Sequence, residues 1–501
     1  MFLDNLLLGA SNVVMPMNLL AIFGGTALGM FVGSMPGLSA TMAIALLVPV
    51  TYVMSPATGL CMLASLYMGS MYGGSIAAIL ICTPGTPSAA ATTLDGYPMA
   101  QRGEAGRALG ISLTASFVGG VISSVVLLTI APLLGRIAVL FGPVELFGVA
   151  VLGMTILASL SQGSTIKGLL SGATGLILAT VGMDSITGIP RFAMGNINLF
   201  SGIPFTVALI GLFSIPQALR LIETDEEKTK GVVGSVKDKI LRPWSELKAL
   251  SGTFLRSSLI GIFTGIIPGT GGDTACWFAY NEAKRRADNP QAFGTSSIYG
   301  VAAPEAANNA VVGGALIPTI TLGIPGSSAT AVLMGGLMIH GIMPGPTLMT
   351  EHADVTYTLL WAVLLSNFVM FLEGVLFTRM CVCVTRVGNR VLAVAVVILC
   401  VIGAFAINNS FFDVTTMLLF GVLGYFMAKV EIPVAPMVVG LILGRMLEVS
   451  LRQSLLMSRG SWMIFLRNPI CAALLLLALL SLIQATPAYM RWRASRRAAR
   501  P

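Results

Sequence analysis

Charge is what this 501-residue sequence has least of: Asp, Glu, Lys and Arg make up only 10% of it, where a soluble globular chain carries about 25%. With 55% hydrophobic residues and a mean hydropathy of +0.88, that scarcity excludes an ordinary soluble protein and predicts a polytopic membrane protein. Histidine is nearly absent; only His340 and His352 occur, which argues against a histidine proton relay. The seven cysteines contain no CxxC pair and fall mostly in apolar runs. Neither a disulfide framework nor a zinc site is expected from them, and they read as small hydrophobes. The start, "MFLDNLLLGASNVVMPMNLLAIFGG", lacks a basic n-region and a small-residue cleavage site. It is expected to be an amphipathic lead-in rather than a signal peptide. The glycine-rich "PGTGGD" at 268–273 has no Lys-Ser/Thr ending and no preceding strand pattern, so a nucleotide loop is not expected.

What is present is apolar sequence, recurring almost end to end in runs long enough to span a bilayer at roughly 20 residues each. About ten to fourteen membrane segments fit, depending on how broken ones are counted. The net charge of +8 is concentrated in places that set topology. The tail "MRWRASRRAAR" follows an apolar run and holds Arg491, Arg493, Arg496, Arg497 and Arg500 without an acid. By the positive-inside rule it is cytoplasmic, and a nucleic-acid partner is not expected.

One long hydrophilic connection, "ETDEEKTKGVVGSVKDKILRPWSELK", divides the chain. It organises the expected domains: a first transmembrane repeat at 1–220, a charged cytoplasmic linker at 221–250, a second repeat at 251–460, and a final transmembrane helix with the basic tail at 461–501. Across the divide the chain repeats itself. "GSMPGLS", with Pro36 and Gly37, has a counterpart in "GIIPGTG", with Pro268 and Gly269. "YGGSIAAILICTPGTPSAA" then matches "VGGALIPTITLGIPGSSAT" in the same order. Loop charges invert between the copies. "VTYVMSPAT" is uncharged where "NEAKRRADN" carries Lys284, Arg285 and Arg286, whereas "AQRGEAGR" is basic where "HGIMPGPTLMTEHAD" has acids only. Corresponding loops therefore belong on opposite faces, the pattern of inverted-topology repeats in secondary transporters. The stretch 57–100, about 44 residues or ~66 Å of helix, is also too long for one crossing of a ~30 Å core. A crossing plus a re-entrant hairpin turning at 83–87 fits it, and the same holds for the matching stretch that turns at 323–327.

Each Pro-Gly sequence removes a backbone donor and admits unusual dihedrals, so it interrupts a helix. Exposed backbone groups cost several kcal/mol each in lipid, so four such breaks belong around a polar cavity. Hydroxyl residues crowd them. Half-helix N-termini suit a carboxylate, and the opposing carbonyls suit a small cation. The expected anion contacts are Ser39, Thr41, Thr83, Gly85, Thr86 and Ser88 in the first copy, with Asn308, Asn309, Gly326, Ser327 and Ser328 in the second. The expected cation contacts are Pro36, Gly37, Pro268, Gly269, Thr270, Gly271, Asp273, Glu305 and Thr321.

Several of these residues have a plainer reading. Asp273 reads first as an N-cap and second as a cation ligand, and Pro304-Glu305 as either a helix start or an intramembrane functional carboxylate. Asp95 reads as part of a turn near the surface. Asp184 and Arg191 read as a structural loop, and Glu448 and Arg452 as a helical pair, with Arg445 an inner-surface anchor. Ser327 with His340 could be imagined as a hydrolase dyad, but no orienting third group accompanies them. A passive channel or scaffold is the other alternative to transport.

The order of "GSMPGLSATMAIALLVPVTY", "YGGSIAAILICTPGTPSAAATTLDGYPMAQRGEAGRALG", "GIIPGTGGDTACWFAYNEAKR", "PEAANNAVVGGALIPTITLGIPGSSATAVLMGGLMIHGIMPGP" and "EIPVAPMVVGLILGRMLEVSLRQSL" closely resembles the large membrane subunit of the tripartite tricarboxylate transporters, over essentially the whole chain. The resemblance implies a bacterial inner-membrane protein that takes up organic acids such as citrate. It implies a small membrane partner of about four spans, a periplasmic solute-binding protein, and an ion gradient rather than an ATPase. No cofactor is expected. Sodium is favoured over protons as the coupling ion, because the breaks are rich in oxygen and poor in histidine.

Overall fold

In the computed structural model, residues 2–35, 38–159, 165–184, 187–223, 238–384 and 389–484 are described. Pro36, Gly37, most of the charged linker and the basic tail lie outside them. Among the described residues the only strands, Gly182–Met183 and Pro190–Arg191, form one short antiparallel pair. Everything else that is regular is helical.

The chain begins with α1 (Phe2–Val13), α2 (Pro16–Gly33), the short α3 (Ala40–Thr51) and the long α4 (Pro56–Ile81). A 3-10 turn at Pro87–Ala89 leads into α5 (Thr93–Gln101), then α6 (Ala105–Ala138), α7 (Pro143–Ser159), α8 (Thr165–Ala179) and, beyond the strand pair, α9 (Phe205–Glu223). The second half opens with α10 (Trp244–Ile266), α11 (Gly271–Arg286), α12 (Ile298–Leu322) and α13 (Ser328–Ile339). After the single turn α14 (Leu348–Glu351) come α15 (Ala353–Val384), α16 (Asn389–Asn408), α17 (Phe411–Lys429) and α18 (Val434–Met457). The short α19 (Ile464–Arg467) then leads into α20 (Pro469–Gln484).

Nine helices among the described residues are long and apolar enough to cross a membrane, and five shorter apolar helices accompany them. The long α12 is not among the nine, because Pro304, Glu305, Asn308 and Asn309 dilute its apolar run. It packs instead against α4, α6 and α10 with nearly every residue buried. The helix therefore meets protein rather than lipid, and its polarity has partners.

Lipid tails are as apolar as the side chains, so close helix approach in a membrane relies on small residues and van der Waals contact. On α2, Gly25, Gly29 and Gly33 lie against the backbone of Met62, Leu66 and Ser70 on α4 so closely that a Cβ would overlap a carbonyl oxygen. On α10, Gly261 and Gly265 lie in the same way against Ala307 and Val311 of α12.

The long helices α4 and α12 stop where the sequence breaks. Cys82 closes α4 at φ 57°, and Gly323 closes α12 at φ 70°; both are left-handed, a region that costs a side chain roughly 1–2 kcal/mol and glycine almost nothing. The chain then doubles back along the helix it has just left. The Gly85 N–H donates to Gly74 O at 3.1 Å, and the Gly326 N–H to Thr319 Oγ1 at 3.4 Å. On either side of the charged linker, α9 runs to Glu223 and α10 starts at Trp244. Where the chain returns from it, the Asp238 carboxylate accepts the Gly106 and Arg107 N–H groups at 2.7 Å each. That bond pair holds the returning segment to the first turn of α6.

Candidate functional site

Three helix starts and one doubled-back turn meet at a single cavity of about 780 Å³, within the range of small-molecule sites. Ser39 and Thr41 come from the start of α3, Thr86 and Ser88 from the turn after α4, residues 269–273 from the start of α11, and Ser327 and Ser328 from the start of α13. Bonds across the cavity wall join them. Thr41 and Ser328 pair through their hydroxyls at 3.0 Å, Tyr67 OH meets Ser327 Oγ at 3.1 Å, and the Gly269 N–H donates to Gly326 O at 3.0 Å.

The three starts differ in what remains available. Ser39 caps α3 by accepting the Met42 N–H, and Ser327 forms a capping box with Thr330, so side chains already satisfy part of those first turns. At α11 the hydroxyl of Thr270 donates back to the carbonyls of Thr264 and Ile267, and no side chain caps the helix. The first-turn N–H groups of α11 are therefore the ones free to meet an anion.

Asp273 is not the N-cap that its position suggested. Thr270 occupies that place, and Asp273 lies within the first turn of α11. Its carboxylate is exposed to the cavity, and among the described residues nothing bonds to it. Beside it, the fully buried Asn308 donates to Met71 O at 3.1 Å while its Oδ1 has no partner. A Cβ on Gly272 would lie 2.9 Å from that oxygen and 2.9 Å from Ser88 Cβ, so the orphan oxygen, the Ser88 side chain and the Asp273 helix turn are neighbours. Oxygen donors of this kind suit a small hard cation.

The other expected residues stand elsewhere. Gly85, Gly326 and Pro268 lie behind the cavity wall, and Pro36 and Gly37 are outside the described residues. Thr83 bonds Ile81 O at 3.3 Å, and Thr321 bonds Ile317 O of its own helix at 2.7 Å. Asn309 turns its amide to the sulfurs of Met370 and Met68, at 3.3 and 3.7 Å. Glu305 is not at a helix start, because Pro304 and Glu305 sit inside α12. It is fully buried away from the cavity, accepting O–H bonds from Thr92 and from Ser116 at 3.3 Å, with Ser75 and Ser112 beside it.

Asp95 is likewise not near the surface. It is fully buried and accepts the N–H groups of Ser297, Ser296 and Gly294 at 2.7, 2.9 and 3.0 Å and Tyr280 OH at 2.8 Å. Four donors on one carboxylate make it a structural tie between α5 and the segment before α12. The imagined Ser327–His340 dyad is not assembled, since the two residues flank opposite ends of α13, a separation of ~20 Å along the helix.

The charged group read as a loop and a helical pair is one network. Arg191 pairs with Glu448 at 2.6 Å, and Arg452 with Asp184 at 2.6 Å and Glu448 at 3.4 Å. The hydrogen bonds that Arg191 donates to the Glu448 carboxylate raise its pKa above the ordinary value. Arg445, read as their companion, makes no ion pair among the described residues.

Sequence reasoning missed Tyr67, Met71, Gln217, Arg220 and Glu431, which also line the first cavity. Tyr67 and Met71 sit inside the apolar run of α4, where no local signal sets them apart. Arg220 and Glu431 had a faint one, being charges at the edges of apolar runs.

A family model described as the tripartite tricarboxylate transporter TctA family matches residues 19–439. An uncharacterized 52.8 kDa protein in the TAR-I ttuC' 3' region of Agrobacterium vitis is 35% identical over 480 residues, 95% of each chain. An uncharacterized protein in the TAR-II ttuC' 3' region of the same organism is 36% identical over 225 residues, 45% of this chain and 93% of that one. No solved structure matches. With the family match running from α2 into α18 and nine membrane-length helices among the described residues, the chain is a multi-pass membrane protein and belongs to the tripartite tricarboxylate transporter TctA family.

Proposed function

We propose that this chain is the large subunit of a secondary transporter that carries an organic carboxylate, a tricarboxylate such as citrate or a related acid, across the bacterial inner membrane with sodium. The observation that carries this reading is the single cavity on which the starts of α3, α11 and α13 converge, with the unpartnered Asp273 carboxylate on its wall and the orphan Asn308 oxygen just behind it. In this reading the uncapped first turn of α11 and the hydroxyls of Ser39, Thr41, Ser327 and Ser328 hold the carboxylate. Asp273, Asn308 Oδ1 and Ser88 hold sodium, which offsets the charge of the anion. Protons are the second choice, because no histidine lines the cavity.

The two halves act as inverted repeats, with re-entrant hairpins that turn at 83–87 and 323–327 entering from opposite faces. The doubling back at Gly85 and Gly326 and the paired glycine contacts support that arrangement. The exposed Arg220 and Glu431 mark the cavity's mouth, at the end of α9 that runs into the charged linker. If the linker and the basic tail are cytoplasmic, this is a cytoplasm-open state. A small membrane subunit of about four spans and a periplasmic binding protein complete the system, and neither an ATPase nor a nucleic acid is involved.

The test is uptake of labelled citrate by proteoliposomes holding the chain and its small partner, with the loaded binding protein outside, with and without an inward sodium gradient. Sodium-driven accumulation is expected. Sodium-independent uptake that collapses with a protonophore reverses the ion assignment, and failure with every carboxylate overturns the transport reading.

A further inference from the structure

A second cavity of about 830 Å³ lies beyond the first, and the cargo site described above does not use it. Three helices line both cavities, each with a different stretch. On α18, Val434 and Val439 face the first cavity while Leu441 and Val449 face the second; on α13, Ser328 faces the first and Met338 the second; on α9, Arg220 faces the first and Phe205 the second. The cavities are therefore stacked along one set of helices, with the far ends of α9 and α18 at opposite ends of the stack. The turn at 323–327 stands between them, since Gly323 lines the second cavity and Ser327 the first.

Charge at the second cavity is unbalanced. Arg191 and Arg452 are committed to Glu448 and Asp184, but Arg445 lines the cavity, is exposed, and has no carboxylate partner among the described residues. Three guanidiniums against two carboxylates leave one positive charge there. The walls are otherwise largely apolar and rich in methionine, including Met334, Met338 and Met446. Such a surface offers an anion few polar groups to be held by, whereas the guanidinium can take a carboxylate in a two-point grip.

We propose that this second cavity is the entry vestibule for the anionic cargo, that Arg445 is its first carboxylate contact, and that the turn at 323–327 is the septum between vestibule and binding site. The inference rests on the transport reading, gives that reading a route from the outer face, and sets Arg445 toward that face rather than at the inner surface expected from sequence. An open vestibule of this kind admits small water-soluble anions whether or not transport occurs.

The experiment is thiol labelling of Met338→Cys in right-side-out membrane vesicles, using impermeant methanethiosulfonates of either charge and counting only modification above that of the unsubstituted chain. The anionic sulfonatoethyl reagent is expected to reach Met338→Cys from outside. Adding Arg445→Ala should slow it roughly threefold at physiological salt, the size expected for one screened charge nearby. Arg445→Lys should restore the rate, and the cationic reagent should not be slowed. Labelling from the cytoplasmic face only, an anionic rate indifferent to Arg445→Ala, or protection from both reagents by a lipid chain filling the space overturns the vestibule. Each of those results stands apart from citrate uptake by the unsubstituted chain, which tests transport itself.

Discussion

The two halves of this molecule use the same backbone device for different chemistry. In the first, the turn after α4 tucks Gly85 against Gly33 O at the end of α2; in the second, the turn after α12 tucks Gly326 against Gly265 O at the end of α10. The scaffolding contact is shared. The groups presented to the cavity are not. Around its helix breaks the first half offers hydroxyls only, on Ser39, Thr41, Thr86 and Ser88, whereas the breaks of the second add the Asp273 carboxylate and an uncapped helix start on α11. Matching glycine contacts frame the cavity, and the groups that differ between the halves, Asp273 among them, supply its charge.

The largest effects should come from breaking the shared contact. A side chain at Gly85 or Gly326 has to displace backbone, at Gly326 the Gly265 carbonyl at 2.5 Å and Ala315 Cα at 2.6 Å, at a cost of about 1–3 kcal/mol or more. Gly85→Val and Gly326→Val are each expected to abolish uptake and lower the thermal unfolding midpoint of the purified protein. Gly24→Ala, with nothing within 4 Å, should leave both unchanged. A large effect in one half only would break the comparison.

Next in size are changes to the groups that differ. Asp273→Asn and Asn308→Ala should each raise the sodium concentration for half-maximal uptake by roughly tenfold, equivalent to ~1.4 kcal/mol. Thr41→Val, among the hydroxyls of the first half, should shift the cargo dependence and leave the sodium dependence alone. Equal sodium shifts from all three would mean that the halves share the ion. Asp95→Asn tests a tie between the halves rather than the site. Weakening an acceptor of three backbone N–H groups and Tyr280 OH should cost about 1–3 kcal/mol of stability with an unchanged sodium dependence, read by thermal unfolding beside uptake. Smallest is Glu104→Ala. Glu104 and Arg107 are partly exposed and Arg107 keeps Glu246 at 2.7 Å, so less than ~0.5 kcal/mol is expected.

The positions of the helix interruptions were legible because proline and glycine act within a few residues of themselves. α4 and α12 end beside the very sequences that look broken, and α3, α11 and α13 begin just beyond them. Hydroxyls next to those breaks were legible for the same reason, and Ser39, Thr41, Thr86, Ser88, Ser327 and Ser328 share one cavity. Reading failed where a polar residue finds its partner far along the chain. Asp95 looks like part of a surface turn until residues 294–297 arrive to bind it. Glu305 looks like a helix start until Thr92 and Ser116 enclose it. Tyr67 gives no sign in its apolar run that its hydroxyl will reach Ser327.

By itself, then, the sequence determined a membrane-embedded helical chain and the places where its helices break, because hydropathy and proline-glycine stereochemistry are local properties. Tertiary structure alone decided which breaks meet, that Asp273 faces open space while Asp95 and Glu305 are enclosed, and that Arg445 is left without the partners its neighbours have taken. Those outcomes depend on through-space distances between segments that lie hundreds of residues apart, as the 3.0 Å bond from Thr41 to Ser328 shows.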